Sequence, residues 1–320
     1  MARSSETGVV GVTGATGHLG QWVISELTKR GYETVSISRT PTKIRTIESL
    51  GFPSATRTLA LDLSDWNKVQ QASPQLLELD YVLHLAGYIP DDTNKNVEFD
   101  AAKTLKQNVT SMVHLLRSVR SSKRLKAVLF ASSFEVYGTP RQLPVDEDHP
   151  TEPLSYYGAS KLACEKYLSI FGNETGLRHC SFRLPAVYGP GDQLNRAIGN
   201  FIRATTRKEP LAIYGDGSDR RDLVYAGDAA RALADCLETP VPTVLNLGSG
   251  TGYSILEMAQ AVQSLLDGTE IVMAERKKPK LDYVLSIERA KQELNWSPEV
   301  SLEQGIKAQL QWHSRRETET

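Results

Sequence analysis

The chain is poor in several things at once. Its 320 residues include three cysteines, Cys164, Cys180 and Cys236. They are odd in number, scattered, and without metal-ligand spacing. That argues against a disulfide framework or a zinc site as the organising element and leaves reduced, structural thiols as the expectation. Aromatic residues make up 7% of the chain, and no basic block interleaves with them. Nucleic acid is therefore not the expected partner. The formal net charge is −1, so neither sign dominates. No apolar run reaches membrane-spanning length. The opening Met1–Thr7 stretch lacks the apolar region of a secretory signal, and a cytoplasmic location is the expectation. The six histidines are dispersed. His84 ends an apolar strand and reads as a packed residue rather than a ligand. No metal, no internal repeat and no low-complexity tract is expected.

What the chain does have is glycine in informative places. Gly8–Val12 reads as a short buried strand and Thr13–Gly20 as a glycine-rich turn. Trp22, Val23, Ile24 and Leu27 then form the apolar face of a helix that Gly31 stops. Strand, glycine turn and helix is the context of a dinucleotide site. Gly14 permits the tight turn. Gly17 lets backbone N–H groups approach a pyrophosphate, and Gly20 allows close helix–strand packing. Apolar strands recur at 34–38, 58–62, 81–85, 127–131 and 180–183, with helical stretches between them. The pattern predicts an α/β fold with a Rossmann-type, doubly wound parallel sheet and ligands at the strands' C-terminal ends. At 320 residues the chain is long for one core. A Rossmann lobe over 1–180, rejoined near 220–245, and a smaller substrate-binding lobe over 181–320 are expected.

Tyr157 and Lys161 stand four apart in Ser155-Tyr156-Tyr157-Gly158-Ala159-Ser160-Lys161. On a helix they share one face. A free tyrosine titrates at about 10, and a neighbouring cation lowers that value. A tyrosine tuned in this way can exchange protons near neutrality, as an alcohol–ketone interconversion requires.

The G-x-x-G-x-x-G spacing at Gly14, Gly17 and Gly20, taken with Tyr157 and Lys161, resembles the short-chain dehydrogenase/reductase superfamily. Length and later motifs resemble its extended branch, the NAD(P)-dependent epimerase/dehydratase family, from about Val9 to about Trp312. The resemblance implies that Gly14, Thr16, Gly17, His18, Leu19 and Gly20 hold the cofactor's pyrophosphate. Asp62-Leu63 resembles the adenine-contacting pair. Leu85-Ala86-Gly87 resembles the element beside the cofactor, and Pro185 and Val187 of Arg183-Leu184-Pro185-Ala186-Val187-Tyr188-Gly189 also fall to it. Where NAD users carry an acidic residue after the second strand, this chain has Ser38-Arg39. An arginine there can pair with a 2′-phosphate, so NADP is favoured over NAD. A solvated Arg39 would leave NAD possible.

The same resemblance implies a catalytic set. Ser132-Ser133-Phe134-Glu135-Val136-Tyr137-Gly138 resembles an SSxxVYG element. Ser133 takes the place of the catalytic Ser/Thr, beside Tyr157, Lys161 and the helix residue Asn108. Ser133 and Glu135 are expected at the substrate, and Ser132 at the substrate or the neighbouring backbone. Dehydratases of the family carry an Asp-Glu pair after the catalytic Thr. Phe134 replaces that Asp, which disfavours dehydration. Ala186 stands where an Asn commonly holds a nucleotide-sugar diphosphate, which weakens that substrate class. Arg221, in a GDGxxxRD-like stretch, and Arg276 support it as phosphate-binding cations, with a solvated basic turn the competing account of Arg276. Pairing of Arg221 with Asp222 or Asp228 is the competing account of that residue. The expected function is oxidoreduction at a carbinol carbon of a nucleotide sugar, most specifically 4-epimerisation of a nucleotide hexose. The alternatives are an NADPH-dependent ketone or aldehyde reductase, possibly on a non-nucleotide substrate, and a dinucleotide-binding sensor without turnover. A homodimer through helices at 101–119 and 156–171 is also implied.

Overall fold

The computed structural model describes residues 7–40, 52–90, 97–192, 196–265, 269–276 and 279–319. Lys277 and Lys278, part of the basic run around Arg276, lie outside them. The chain divides into two compact units. The first comprises Met1–Gly138, Pro150–Arg183 and Ala230–Leu245, and the second Thr139–His149, Leu184–Ala229 and Asn246–Thr320.

The first unit opens with β1 (Val9–Thr13), α1 (His18–Lys29) and β2 (Glu33–Ser38). Then come β3 (Arg57–Ala60), α2 (Trp66–Gln71), α3 (Ser73–Leu77) and β4 (Tyr81–His84). A helix follows in three parts: α4 (Val97–Thr104), a π-helical turn (Leu105–Thr110) and α5 (Ser111–Val119). After it run β5 (Ala127–Ser133), a 3₁₀ turn (Phe134–Val136), α6 (Tyr156–Thr175) and β6 (Arg178–Leu184). The second unit contributes β7 (Ala186–Tyr188), α7 (Ala197–Thr206), β8 (Leu211–Tyr214) and β9 (Arg220–Tyr225). Beyond α8 (Ala226–Asp235) and β10 (Val244–Asn246), it continues with β11 (Gly252–Ser254), α9 (Ile255–Gln263) and β12 (Ile271–Ala274), and ends in α10 (Glu288–Leu294) and α11 (Leu302–Glu319).

Seven strands form one sheet in the order β10-β6-β5-β4-β1-β2-β3. The pairs β1–β2, β1–β4, β2–β3 and β4–β5 run parallel, with Thr13 opposite both Ile37 and His84. This is the doubly wound order, which reverses between β1 and β4. All four residues of β4 and all seven of β5 are buried, as strands covered by helices on both faces require. On one face Val82, Val128 and Phe130 pack with Met112 and Leu115 of α5 and Leu168 of α6. At about 25 cal/mol per Å² of apolar surface removed from water, this burial is the main stabilising term. β3 ends at Ala60 rather than reaching Asp62, because the Asp62 carboxylate turns to accept from the Ser64 amide at 2.9 Å. The second unit has its own core, with Tyr188, Phe201, Leu211, Met258 and Ile306 among its members.

Candidate active site

The glycine turn is built for close approach. Gly14 has φ +68°, and a methyl on it would strike the backbone of Ala86. Gly17 caps α1 with no side chain to fill the cap. A helix N-terminus that no side chain caps suits an anion. A methyl on Gly20 would overlap the backbone of Gly14 and Ala15, so the helix can sit this close to the turn with glycine there. His18 and Leu19 are half-buried at the helix start, and the Thr16 carbonyl accepts from Gln21 Nε2 at 3.3 Å. At the end of β2, Ser38 is 8% exposed, yet its hydroxyl has no partner among the described residues. A buried hydroxyl left in this way calls for a ligand. Arg39 donates to Gln107 Oε1 at 2.9 Å. Asp62 accepts from the Ser64 hydroxyl at 2.8 Å. Burial would raise the Asp62 carboxyl, but the Ser64 hydrogen bonds and the Arg39 charge hold it below the usual range. Leu63 beside it is buried. An open helix N-terminus, a glycine cradle and an orphaned hydroxyl at the ribose position fit a nicotinamide dinucleotide.

Where β1 and β4 end side by side, Thr13 Oγ1 accepts from the Ala86 amide at 3.1 Å and lies 2.8 Å from His84 Nδ1. His84 is packed as expected, and burial followed by the Lys161 charge pushes it down to about 3. A methyl on Gly87 would fall 3.2 Å from Lys161 Nζ and 3.6 Å from Asn108 Oδ1, so these three positions converge. Asn108 is 2% exposed. It accepts from the Tyr88 amide at 2.6 Å and donates to the Tyr88 carbonyl at 3.1 Å and to Ser160 Oγ at 2.8 Å. Ser160 in turn donates to the Tyr157 carbonyl at 2.7 Å. The π turn places this amide between the loop after β4 and α6, in line with the helix perturbation that the resemblance implies at Asn108.

Tyr157 sits in the first turn of α6, 9% exposed. Lys161 Nζ lies 5.6 Å from its ring centroid and donates to the Ala131 carbonyl at 2.7 Å. Burial pushes Lys161 down to about 8, against the upward pull of Cys164 and Glu165. Ser133 Oγ accepts from the Glu135 amide at 3.2 Å. The Glu135 carboxylate accepts from Ser155 Oγ at 2.6 Å, and Ser155 caps α6 by accepting from the Gly158 amide at 2.9 Å. Ser133, Glu135 and the start of the tyrosine helix are thus one connected piece. The Ser132 hydroxyl points elsewhere: it is buried and donates to Glu165 at 2.5 Å.

Arg221 and Arg276 meet in the second unit. Both pair with Asp219, Arg276 at 2.7 Å and Arg221 at 3.5 Å, and Arg276 also reaches Asp216 at 2.8 Å. Arg221 lies 5.3 Å from the Tyr283 ring centroid. Asp222 instead accepts from the Ser249 and Leu285 amides, and Asp228 from those of Glu299 and Val300. In the same unit Pro185 is buried and Val187 half-buried. The first unit therefore assembles Asn108, Ser133, Tyr157, Lys161 and the turn residues, and the second the two arginines. Sequence reasoning gave no role to Glu165, Gln107 and Asp219, and quoted Arg183 only within its motif. Among the described residues there is no His/Cys/Asp/Glu cluster suited to a metal ion and no helix long and apolar enough to cross a membrane.

Sheet order, glycine turn and tyrosine–lysine helix define a Rossmann-type enzyme of the extended short-chain dehydrogenase/reductase kind. The model of the NAD dependent epimerase/dehydratase family matches residues 10–248, and the chain belongs to that family. It is 29% identical to a putative UDP-glucose 4-epimerase of Methanocaldococcus jannaschii, over 94% of this chain and 97% of that one. It is 28% identical to UDP-glucuronic acid decarboxylase 1 of Arabidopsis thaliana, over 92% of this chain and 67% of that one. Among solved structures, UDP-glucuronic acid 4-epimerase from Bacillus cereus, in complex with UDP-glucuronic acid and NAD, is 27% identical. It superposes with a TM-score of 0.84 over 96% of this chain and 99% of that one.

Proposed function

We propose that the chain is a nucleotide-sugar 4-epimerase with Tyr157 as its acid/base. The first unit would bind the dinucleotide and the second the substrate. The observation that carries the reading is the convergence of Tyr157, Lys161, Ser133 and Asn108 beside an anion-binding glycine turn. Tyr157, as phenolate, takes the proton of the sugar's C4 hydroxyl while Lys161, one turn along, stabilises the phenolate. Ser133 hydrogen-bonds the same oxygen. Asn108 holds the start of α6 in place through Ser160. A bound nicotinamide supplies the hydride acceptor and donor. When the 4-keto sugar has turned over, Tyr157 returns its proton and the other epimer results. The relatives named for UDP-sugars support this substrate class, and the paired Arg221 and Arg276 offer cations suited to a diphosphate. Ala186 remains a departure from the family pattern.

A second reading, a net reductase using NADPH, is favoured by the end of β2. There Ser38-Arg39 presents a guanidinium and no carboxylate. The relatives' NAD supports NAD for the family, and NADP in this chain stays a proposal resting on Arg39. The deciding experiment is release of bound nicotinamide on denaturation, followed by incubation with UDP- and GDP-hexoses without added cofactor and product analysis by NMR. Retained NAD(P)+ with epimer formation supports the epimerase. Tyr157→Phe is expected to lower turnover at least about 100-fold. NADPH consumption that needs a carbonyl substrate would instead make the protein a reductase. Dinucleotide binding with no turnover in the wild type would make it a sensor.

A further inference from the structure

Tyr157 and Lys161 are followed one turn further along α6 by Glu165. The Glu165 and Arg183 side chains are each 5% exposed. Glu165 Oε1 accepts from Ser132 Oγ at 2.5 Å and from Arg183 Nε at 3.1 Å, and Oε2 accepts from Arg183 Nη2 at 2.8 Å. Arg183 Cζ lies 4.6 Å from the Tyr137 ring centroid. One turn back, Lys161 holds the Ala131 carbonyl. Two consecutive residues of β5 are therefore bolted to two consecutive turns of α6, and the next residue is Ser133. A pair buried this deeply adds little net stability over apolar residues of the same volume, because desolvation offsets most of the attraction. Its presence at this point needs another account.

We propose that Glu165 is a positioning residue for the reaction, fixing the Ser132–Ser133 end of β5 against the helix that carries Tyr157 and Lys161, with Arg183 as its buried counter-ion. The proposal rests on the reading of Tyr157 as acid/base. It also gives Glu165 an electrostatic role. The titratable and charged groups around Lys161 are Tyr157, Cys164 and Glu165 on α6 and His84 on β4. The Phe130 ring, the Ala131 carbonyl, Gly87 and Asn108 are also around it among the described residues. Burial pushes the Cys164 thiol up to about 12 and His84 down to about 3, so both are uncharged near neutrality. Apart from a Tyr157 phenolate, Glu165 is then the anion that favours the charged form of Lys161.

Ser132→Ala removes one hydroxyl and leaves the ion pair intact. With the sugar identified by the product screen, kcat is expected to fall about tenfold or more, with KM within about twofold and the melting temperature little changed. Ser132→Thr should recover most of kcat. A raised KM at wild-type kcat would make Ser132 a substrate contact, and unchanged kinetics would make the network purely structural. Either result overturns the proposal. Tyr157→Phe, assayed alongside, tests the underlying reading separately: turnover surviving there sinks the acid/base assignment whatever Ser132 does. A substrate-free readout is the Lys161 side-chain 13Cε titration, assigned by its loss in Lys161→Met. In folded Glu165→Gln its midpoint should move to lower pH. An unmoved midpoint would also overturn the proposal, and should that variant fail to fold, Ser132→Ala decides.

Discussion

Lys161 shows what the site demands of a single residue. It is 4% exposed, and burial holds its titration at about 8, well below the 10.5 of a free lysine. In the unfolded chain the ammonium regains its water and its ordinary value. Between about 8 and 10.5 the unfolded chain therefore binds the proton more firmly than the folded one. Raising the pH through that window stabilises the fold, and below about 8 the whole burial penalty stands. Lys161→Met, of similar length and without charge, is expected to raise the unfolding free energy at pH 7 by about 1–3 kcal/mol while abolishing turnover. The gain should shrink as the pH approaches 10. Urea unfolding of both proteins at pH 7 and pH 10 measures it, and a variant less stable at pH 7 would show that the Ala131 hydrogen bond outweighs desolvation. Tyr157 and Lys161 were proposed from sequence on their local spacing, Ser133 and Asn108 on the family resemblance. Glu165 and Asp219 were not. Their partners stand 18 residues away at Arg183 and 57 away at Arg276, and nothing local in one sequence announces such a pairing.

Among the elements, the glycine turn separates two uses of glycine that look alike in the sequence. A methyl on Gly20 would run into rigid backbone at Gly14 and Ala15, so α1 would have to lift off the turn. A methyl on Gly17 meets one atom, the Gly14 carbonyl oxygen at 3.1 Å, and otherwise projects into the anion cradle. Gly20→Ala is therefore expected to cost about 1–3 kcal/mol of stability along with dinucleotide binding. Gly17→Ala should stay within about 1 kcal/mol of wild type and still bind the dinucleotide at least about tenfold more weakly. Thermal melting and fluorescence titration with NADH and NADPH test both. Equal stability loss in the two variants would remove the distinction. The strand–turn–helix and the alternation of strands and helices were legible because hydrophobic periodicity reports them directly. The π turn was legible only through the family resemblance of Asn108, since it arises where the Asn108 side chain takes both backbone groups of Tyr88, a contact across 20 residues. The end of β3 was misplaced for a similar reason, the Asp62 side chain competing for the Ser64 amide.

For the whole molecule, α6 leaves an unfinished surface. It packs its inner side against α5 and the π turn, yet Tyr156, Tyr167 and Ile170 on its outer side are 52%, 49% and 57% exposed. These three positions fall within one narrow arc of the helix. Leu105 in the π turn is 59% exposed as well. The resemblance implied pairing of a second copy through this helix, and the packing of α6 shows which of its side chains stay uncovered. Large apolar side chains grouped on one helix face mark an interaction surface more often than chance exposure. We propose that a second copy covers this face by two-fold pairing, in which the same patch serves both protomers. Light scattering should then give about twice the 35.3 kDa of the chain. Introducing charge with Tyr167→Glu and Ile170→Glu should return the mass to that of the monomer, since two buried carboxylates would face each other across the axis. Both side chains lie on the side of α6 away from Lys161 and Glu165, so the monomeric variant should still bind the dinucleotide. A wild-type protein of 35.3 kDa at micromolar concentration would show that this face serves something other than self-association.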